Sequence, residues 1–380
     1  MKRIGFADSP RSTVGVEWEM QVIDQQTGEL RQEVGEIERA LVRNGQPHPQ
    51  VNHEIIQSTL EITSQARTTI DSCMRDLTDV LRDLEKPLAD TGTTLIASAT
   101  HPTGDPHAQT ATPTEHYDNL INTAQYWARR ILTCGLHIHV GIEDVEKVHP
   151  ISNAVLSHLC ELQAVAANSP FWRGEDTGYA SFRPTIFHQL PSAGIPPQFD
   201  DWDEYSLAVN QLIDSGFIRS AHNLFWDMRP APHLGTLEVR IFDTASNLQD
   251  VAALCAIAHA LVEHYSTQLD RGQELPRHPD WIVRRNSFAS SRYGLDTTVA
   301  VPVGDSVELI PVRERLATLL DTLEPAAERV GCVSELANAR TLIEGTPGYE
   351  RQRSHFERGG FDAVIAGLRA EMEAGKPVSV

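Results

Sequence analysis

The stretch TCGLHIHVGI, residues 133–142, alternates apolar and polar side chains along its middle. A period of two is typical of a β-strand with one buried face and does not fit the 3.6-residue period of a helix. The alternation predicts that Leu136, Ile138 and Val140 pack in the core while His137 and His139 share the opposite face. Imidazoles on such a face can bind a metal, form hydrogen bonds or occupy a satisfied polar pocket. The chain must therefore supply a polar environment on one side of this strand.

Two further stretches alternate in the same way and have charged residues on their polar side. In TVGVEWEMQVI, Glu17 and Glu19 share one face, about 7 Å apart by the strand repeat. In TLEVRIFD, Glu238 and Arg240 share one face. Each of these strands therefore has a polar side opposite the side that packs in the core.

A fourth stretch, VNHEIIQSTLEIT at residues 51–63, is rich in β-forming residues and contains Glu54 and Glu61. These two glutamates are seven positions apart, an odd number, so a continuous strand would direct them to opposite faces. A turn or a bulge between them is needed to bring both carboxylates to one face.

Taken one at a time, these polar positions fit the solvated face of a half-exposed sheet. As a set they do not, because such a face normally mixes Lys, Thr, Ser and Gln, and lysine is absent from all four stretches. Carboxylates this close repel one another unless a cation or a proton lies between them. Carboxylates with an occasional imidazole or water are the ligands of Mg²⁺ or Mn²⁺. The set therefore predicts a multi-metal site that handles phosphate.

Helical and extended patterns are mixed along the chain. Helices are predicted at 34–44, 68–90, 117–132, 151–167 and 203–215, and the chain from about residue 248 is predicted to be mostly helical. Residues 168–199, rich in Gly, Pro and aromatics, predict a functional loop. We expect an α+β fold, with a largely antiparallel sheet, helices packed on one face and a helical C-terminal part. No repeat, low-complexity tract or linker divides the sequence, which favours a single domain over residues 1–380.

The charge balance restricts the partners of this chain. Acidic residues outnumber basic ones by 52 to 32, for a net charge of -20, which argues against nucleic acid or an anionic membrane as the main partner. A small anionic substrate is compatible if metal ions or arginines invert the field in the cleft. The five scattered cysteines form no C-x-x-C pair, the N-terminus lacks a signal-peptide pattern, and no run is long enough to span a membrane. We expect a cytoplasmic protein, and homo-oligomerisation is compatible with this sequence.

Six ordered motifs resemble a known family. They are GVEWE, HEIIQSTLEITS, CGLHIHVGIED, NSPFWRGEDTGYASFRPTIFHQLPSAGIPP, WDMRPAPHLGTLEVRIFD and SSRYGLD. They resemble the bacterial carboxylate–amine ligases of the glutamate–cysteine ligase 2 type, within the wider glutamine synthetase-like superfamily. The likeness extends from about residue 12 to 295 and more loosely beyond. It implies a glutamine synthetase-like sheet and an ATP-dependent ligase that forms γ-glutamylcysteine from glutamate and cysteine through an acyl phosphate.

The resemblance also implies roles for individual residues, with ATP, amino acids and Mg²⁺ (or Mn²⁺) as the small molecules bound. By motif position, the metal ligands are Glu17, Glu54, Glu61, His137 and Glu238. Glu19 is implied as a further ligand or a nearby acid. Arg240 is implied as the cation that faces the transferred phosphoryl group. His139 occupies a position where related ligases can have an amide, so it ranks below His137 and is expected to face substrate or phosphate.

Arg183 and Arg229 are candidates for binding the substrate carboxylate or phosphate. The alternative is that both arginines are structural. Three other functions are compatible with the same residues: a ligase for another acid and amine, a metal-dependent hydrolase that uses no ATP, and an inactive binding protein. The absence of a G-x-x-x-x-G-K-[ST] loop does not separate them, because the superfamily binds ATP without one.

Overall fold

The structure is a computed structural model that describes residues 2–378. Strands and helices are numbered in chain order. The strands are β1 (Val14–Asp24), β2 (Val51–His53), β3 (Thr59–Thr63), β4 (Thr93–Ile96), β5 (Gly135–Gly141), β6 (Phe171–Trp172), β7 (Glu175–Asp176), β8 (Ala193–Gly194), β9 (Phe225–Trp226), β10 (Met228–Ala231), β11 (Thr236–Asp243), β12 (Thr298–Val303) and β13 (Ser306–Pro311).

The helices fill most of the connections and the C-terminal third. They are α1 (Val34–Ala40), α2 (Ile70–Thr91), α3 (Glu115–Ala124), α4 (Val148–Leu156), α5 (Leu159–Ala166), α6 (Arg183–Phe187), α7 (Trp202–Asp214), α8 (Leu248–Asp270), α9 (Asp280–Tyr293), α10 (Val312–Val330), α11 (Val333–Glu344) and α12 (Gly348–Ala374). Within residues 2–378, no helix combines the length and the apolar character needed to cross a bilayer.

In the described part of the chain, the main sheet has seven strands. Its strand order is β10-β11-β5-β1-β3-β2, and all neighbours along this path are antiparallel. Strand β1 is long enough to pair with β5 along its first half and with β4 along its second half. The central position of β1 and β5 follows from their sequences, because both are buried along nearly their whole length.

The apolar face of the sheet supplies the main core. Val14, Val16, Trp18 and Met20 of β1 are almost fully buried on this face, as the period-two pattern predicts. Helices α2, α5 and α8 contact strands β1, β11 and β5. Helix α2 begins at Thr69, whose side chain accepts a hydrogen bond from the N–H of Ser72, and ends at Gly92 in the left-handed conformation. The α+β class with a largely antiparallel sheet is confirmed.

Several element predictions differ from the structure. The helix predicted at 117–132 ends with α3 at Ala124, because Gln125 has a φ of 46°. The helix predicted at 151–167 is two helices, because the chain makes a tight turn at Ser157 and His158 with i→i+3 hydrogen bonds. The mostly helical region after residue 248 also contains the antiparallel hairpin β12–β13. Its alternating valines, and Gly304 in the turn at a φ of 56°, are the sequence signal for that hairpin. The single-domain organisation stays a prediction.

Candidate active site

The antiparallel register places polar side chains of three strands next to one another. Glu17 of β1 is opposite His137 of β5, and Glu238 of β11 is opposite His139. Side chains of directly opposed residues lie on the same face of a sheet. The register that buries the valines of β1 on one face therefore gathers two carboxylates and two imidazoles on the other.

His137 is oriented by the carboxylate beside it. Its Nδ1 lies 3.0 Å from Oε2 of Glu17, with Nη1 of Arg240 farther away at 3.4 Å. A carboxylate can only accept, so the shorter contact places the ring proton on Nδ1 and leaves the lone pair on Nε2. Nε2 is buried, has no hydrogen-bond partner within residues 2–378, and lies 3.6 Å from Oε1 of Glu19. An unpartnered imidazole nitrogen among carboxylates is a ready metal ligand.

His139 has both ring nitrogens engaged. Nδ1 is 2.9 Å from Oγ1 of Thr236, and Nε2 is 3.1 Å from Oε1 of Glu17. Burial lowers the pKa of this imidazole, but the negative charge of Glu238 and the Glu17 contact raise it above its ordinary value overall. Because both of its ring nitrogens already have partners, His139 is less available as a metal ligand than His137.

Glu54 and Glu61 reach one face because the chain turns between them. Residues 54–58 form a turn in which the N–H of Thr59 donates to the carbonyl of Ile56 at 2.9 Å. Glu61 is opposite Glu19 in the β1–β3 register. This is the interruption that the odd spacing of the two glutamates requires, and both line the same cavity.

The carboxylates of Glu17, Glu54 and Glu61 differ in the direction of their pKa shifts. Burial raises the pKa of Glu54 to about 8, and the charge of Glu19 adds to that shift. Burial and the charge of Glu17 raise the pKa of Glu61 well above its usual range. Burial also acts on Glu17, but hydrogen bonds from His137 and His139 hold its pKa below the usual range. Without a bound cation, the glutamates farther from the histidines thus favour the protonated form.

Glu238 lies between two arginines and is only 1% exposed. Its Oε2 accepts from Nε of Arg229 at 2.7 Å, and its Oε1 forms a close ion pair with Nη1 of Arg240. Burial opposes ionisation, but the positive charges of Arg240 and Arg229 hold the pKa of Glu238 well below its usual range. Nη1 of Arg229 donates to the carbonyls of His222 and Leu224, at 2.9 and 2.7 Å, and Nη2 donates to Oε1 of Glu238 at 3.3 Å. These contacts favour the structural interpretation of Arg229.

The Arg183 guanidinium has fewer hydrogen bonds to other residues than that of Arg229. It is the first residue of α6 and is 4% exposed, and both terminal nitrogens lie 3.3 Å from the carbonyl oxygen of Arg240. The guanidinium packs against Gly135, where an added Cβ would lie 2.3 Å from Nη2 of Arg183. The glycine in the CGLHIHVG motif therefore makes room for this cation.

A cavity of about 400 Å³ lies over the polar face of the sheet. Its floor is formed by Glu17, Glu19, Glu54, Glu61 and His137, with Arg183, Arg229 and Arg240 at its side. Its wall is formed by Ile55, Tyr117, Leu120, Ile131, Phe187, Leu190 and Phe225. The wall was not predicted from the sequence, although the spacing of Tyr117 and Leu120 marks one face of a helix. A charged floor under an apolar wall is typical of a site for small polar ligands.

The floor has the donor set of a hard-cation site. Three groups bring ligand atoms within 4.8 Å of one another: Glu17–Glu61–His137, Glu17–His139–Glu238 and Glu19–Glu54–Glu61. Glu17 and Glu61 each belong to two groups, so the groups are contiguous. Carboxylates with one or two imidazoles fit Mg²⁺ or Mn²⁺, and the unpartnered Nε2 of His137 points to the same use. The structure thus brings together all the residues predicted as metal ligands, and adds His139 to one group.

The sequence pattern of the family described as glutamate-cysteine ligase family 2 matches residues 13–374. The chain belongs to glutamate-cysteine ligase family 2. A relative from Leifsonia xyli subsp. xyli, named "Putative glutamate--cysteine ligase 2", is 37% identical over 99% of this chain and 100% of its own length. A relative of the same name from Thermobifida fusca is 38% identical over 98% of this chain and 94% of its own length. The family resemblance seen in the six motifs is confirmed.

Solved structures show the fold of this family member. A glutamate–cysteine ligase from Francisella tularensis, crystallised in complex with AMP, superposes with a TM-score of 0.72 at 11% identity, over 100% of this chain and 90% of that one. A bifunctional glutathione synthetase from Pasteurella multocida gives a TM-score of 0.64 at 14% identity, over 96% of this chain and 51% of that one. The chain therefore has the fold of a solved glutamate–cysteine ligase, and by its family it is a ligase-family protein.

Proposed function

We propose that this family member is an ATP-dependent ligase that joins the γ-carboxylate of glutamate to the amine of cysteine. The observation that supports it best is the polar face of the sheet, where carboxylates and imidazoles of β1, β3, β5 and β11 converge beside the buried cations Arg183 and Arg240. The substrates follow from the names of the relatives, and AMP in the Francisella tularensis enzyme supports a nucleotide. The apolar wall leaves room for a small acceptor.

The reaction needs an activated carboxylate. An oxygen of the acid attacks the γ-phosphorus of ATP, the bond to the leaving ADP breaks, and an acyl phosphate results. The amine then attacks the acyl carbon, the carbon–oxygen bond to phosphate breaks, and the nitrogen loses a proton. Phosphoryl transfer depends mainly on positioning and on neutralising charge.

The side chains of the site have separate tasks in this scheme. Glu17, Glu54, Glu61, His137 and Glu238 would hold Mg²⁺ or Mn²⁺, which neutralises the charge of the ATP phosphates. Glu19 would complete this set or act as a neighbouring acid.

Cationic and imidazole side chains would handle the substrates. The guanidinium of Arg240 would stabilise charge on the transferred group, and Arg183 would bind the acid or the phosphate. His139 would support this set from the substrate side, and Arg229 would orient Glu238.

The cysteines of this chain fit a reducing compartment. All five cysteines lie within residues 2–378, are buried, and form no disulfide. Burial, together with the negative charges of Glu19 and Glu54, raises the pKa of Cys134 well above its ordinary value, so it stays a thiol. We propose a cytoplasmic enzyme on these grounds.

Release of ADP tests the proposal. The purified chain would be incubated with ATP and Mg²⁺, with and without glutamate and cysteine, and ADP and the dipeptide would be measured. We expect ADP only when acid, amine and metal are all present, and loss of both products in Glu61→Gln. ADP release with another amino-acid pair would redefine the substrates. Hydrolysis that needs no ATP, or no turnover with any pair, would contradict a ligase.

A further inference from the structure

Helix α6, which begins with Arg183, is tied at its start to the end of strand β11. The carboxylate of Asp243, the last residue of β11, is 1% exposed. Its Oδ2 accepts from the hydroxyl of Ser169 at 2.7 Å and from the N–H of Asn168 at 2.9 Å. The strand that contains Glu238 and Arg240 therefore ends on an acid that holds the 168–182 loop.

The hydroxyl of Ser169 links Asp243 to the start of α6. While it donates to Asp243, its oxygen accepts from the N–H of Phe182 at 2.7 Å and from the N–H of Arg183 at 3.0 Å. Ser169 is fully buried. One hydroxyl thus fixes the backbone from which the Arg183 side chain extends.

A second aspartate ties the other end of the same helix. His188, which ends α6, places Nε2 2.7 Å from Oδ1 of Asp227. Asp227 lies between β9 and β10, is 5% exposed, and its carbonyl accepts from the N–H of Arg240 at 2.8 Å. Asp227 precedes the first strand of the β10–β11 hairpin and Asp243 ends the second, so both lie at its open end, where they contact the two ends of α6.

Neither aspartate is fully satisfied by these contacts. Among the described residues, Oδ2 of Asp227 and Oδ1 of Asp243 are buried without a hydrogen-bond partner. A buried carboxylate with an unpartnered oxygen costs stability, so its presence at both ends of one short helix needs a reason. The charged side chain on this helix is that of Arg183, which lines the cavity and packs against Gly135.

We propose that Asp243 through Ser169, and Asp227 through His188, are positioning residues that hold the Arg183 guanidinium over the floor before substrate binds. Only the kinetic part of the test below rests on the proposed function. The positioning itself concerns the free protein. A preset guanidinium binds an anion without first losing side-chain and loop freedom, so the effect falls on substrate affinity.

We call the Asp243–Ser169 and Asp227–His188 contacts with α6 the clamp. Hydrogen exchange tests the clamp without any substrate. We expect the amides of residues 182–190 to exchange at least about tenfold faster in Ser169→Ala and in His188→Ala than in the unaltered protein. Ser206→Ala is the matched control, because Ser206 is also fully buried and its hydroxyl also accepts a backbone N–H, that of Ile4 at 3.2 Å. His188→Gln, which keeps a donor toward Asp227, should restore protection. Unchanged protection in both alanine variants would overturn the proposal.

A double-mutant cycle tests whether the effect passes through Arg183. With glutamate, cysteine and Mg²⁺-ATP, Ser169→Ala should raise the KM of the acid about fivefold or more and change kcat less than about twofold. In an Arg183→Met background the same change should add nothing. Full additivity would overturn the proposal. If the unaltered enzyme forms no dipeptide, the proposed function fails while the exchange experiment still decides the clamp.

Discussion

At the scale of single residues, the two histidines of β5 differ in what their nitrogens contact. In the part of the chain that the structure describes, Nε2 of His137 has no hydrogen-bond partner, whereas both nitrogens of His139 form hydrogen bonds. We expect His137→Ala to raise the Mg²⁺ concentration needed for half-maximal turnover by about tenfold or more. His139→Asn should keep measurable activity, because an amide can replace a hydrogen-bonding imidazole. Metal titrations of turnover would check both, and equal losses would contradict the ranking.

Glu61 should show opposite effects on stability and activity. It is surrounded by Glu17, Glu54 and Glu19, and it accepts a hydrogen bond from the side-chain amide of Asn52 at 3.1 Å. Glu61→Gln keeps an acceptor for that amide and no longer has to take up a proton when the chain folds, so in chelator the melting temperature should rise by about 2 °C or more. Turnover with Mg²⁺ should fall about 100-fold. Calorimetric melting with and without chelator measures the first effect, and a lower melting temperature would contradict this account.

The pH dependence of stability should report Glu54. Its pKa in the folded protein, about 8, is above its ordinary value, so its contribution to stability is full below about pH 4.3 and is lost as the pH rises to about 8. In chelator, urea unfolding at pH 5, 6.5 and 8 should show that Glu54→Gln gains on the unaltered protein as the pH rises. With Mg²⁺ present the gain should shrink, since ligation favours the charged form. A pH-independent difference would contradict the raised pKa.

Sequence patterns predicted the positions of some of these residues but not of others. Alternation placed Glu17, His137 and Glu238 on one face, because a strand has a period of two. The same rule could only state that Glu54 and Glu61 needed a turn between them. The use of Arg229 could not be predicted, since its partners lie on a loop that meets the strand only in the folded chain.

At the scale of secondary-structure elements, strand β5 must pass close to α6. We expect Gly135→Ala to displace the Arg183 guanidinium, because the new Cβ would lie 2.3 Å from Nη2 of Arg183. The KM of the acid should rise while thermal stability changes little, since the end of a long side chain can move. Gly15→Ala in β1 is the control, because its nearest atom, Cβ of His139, would be at an ordinary 3.8 Å. Similar kinetics for the two variants would contradict the close approach.

The main sheet could be predicted because its strands have strong local patterns, whereas two other features could not. Hairpin β12–β13 was missed although its alternation is clear, because the surrounding helical patterns dominated the C-terminal third. Helix α6 has only five residues and lies in a stretch without periodicity. Its position depends on Asp227 and Asp243, which are far from it in the sequence.

At the scale of the whole molecule, a net charge of -20 should repel ATP. The floor adds to this repulsion until divalent cations bind. We expect calorimetry to detect negligible ATP binding in chelator and clear binding at about millimolar Mg²⁺ or Mn²⁺. The heat should also depend on the buffer, because Glu54 and Glu61 must release protons to become ligands. Tight ATP binding in chelator would contradict the metal-dependent site.

The floor and the wall of the cavity come from different parts of the chain. The floor lies on the sheet, whose opposite face is the core, while the wall comes mostly from α3, α6 and the loops beside them. A library that randomises only the wall would leave the main core and the carboxylates of the floor intact, so on the proposed function selection could search for new acceptor amines alone. Divergence within a lineage built on this sheet can follow the same route, with an inherited floor and an exchangeable wall.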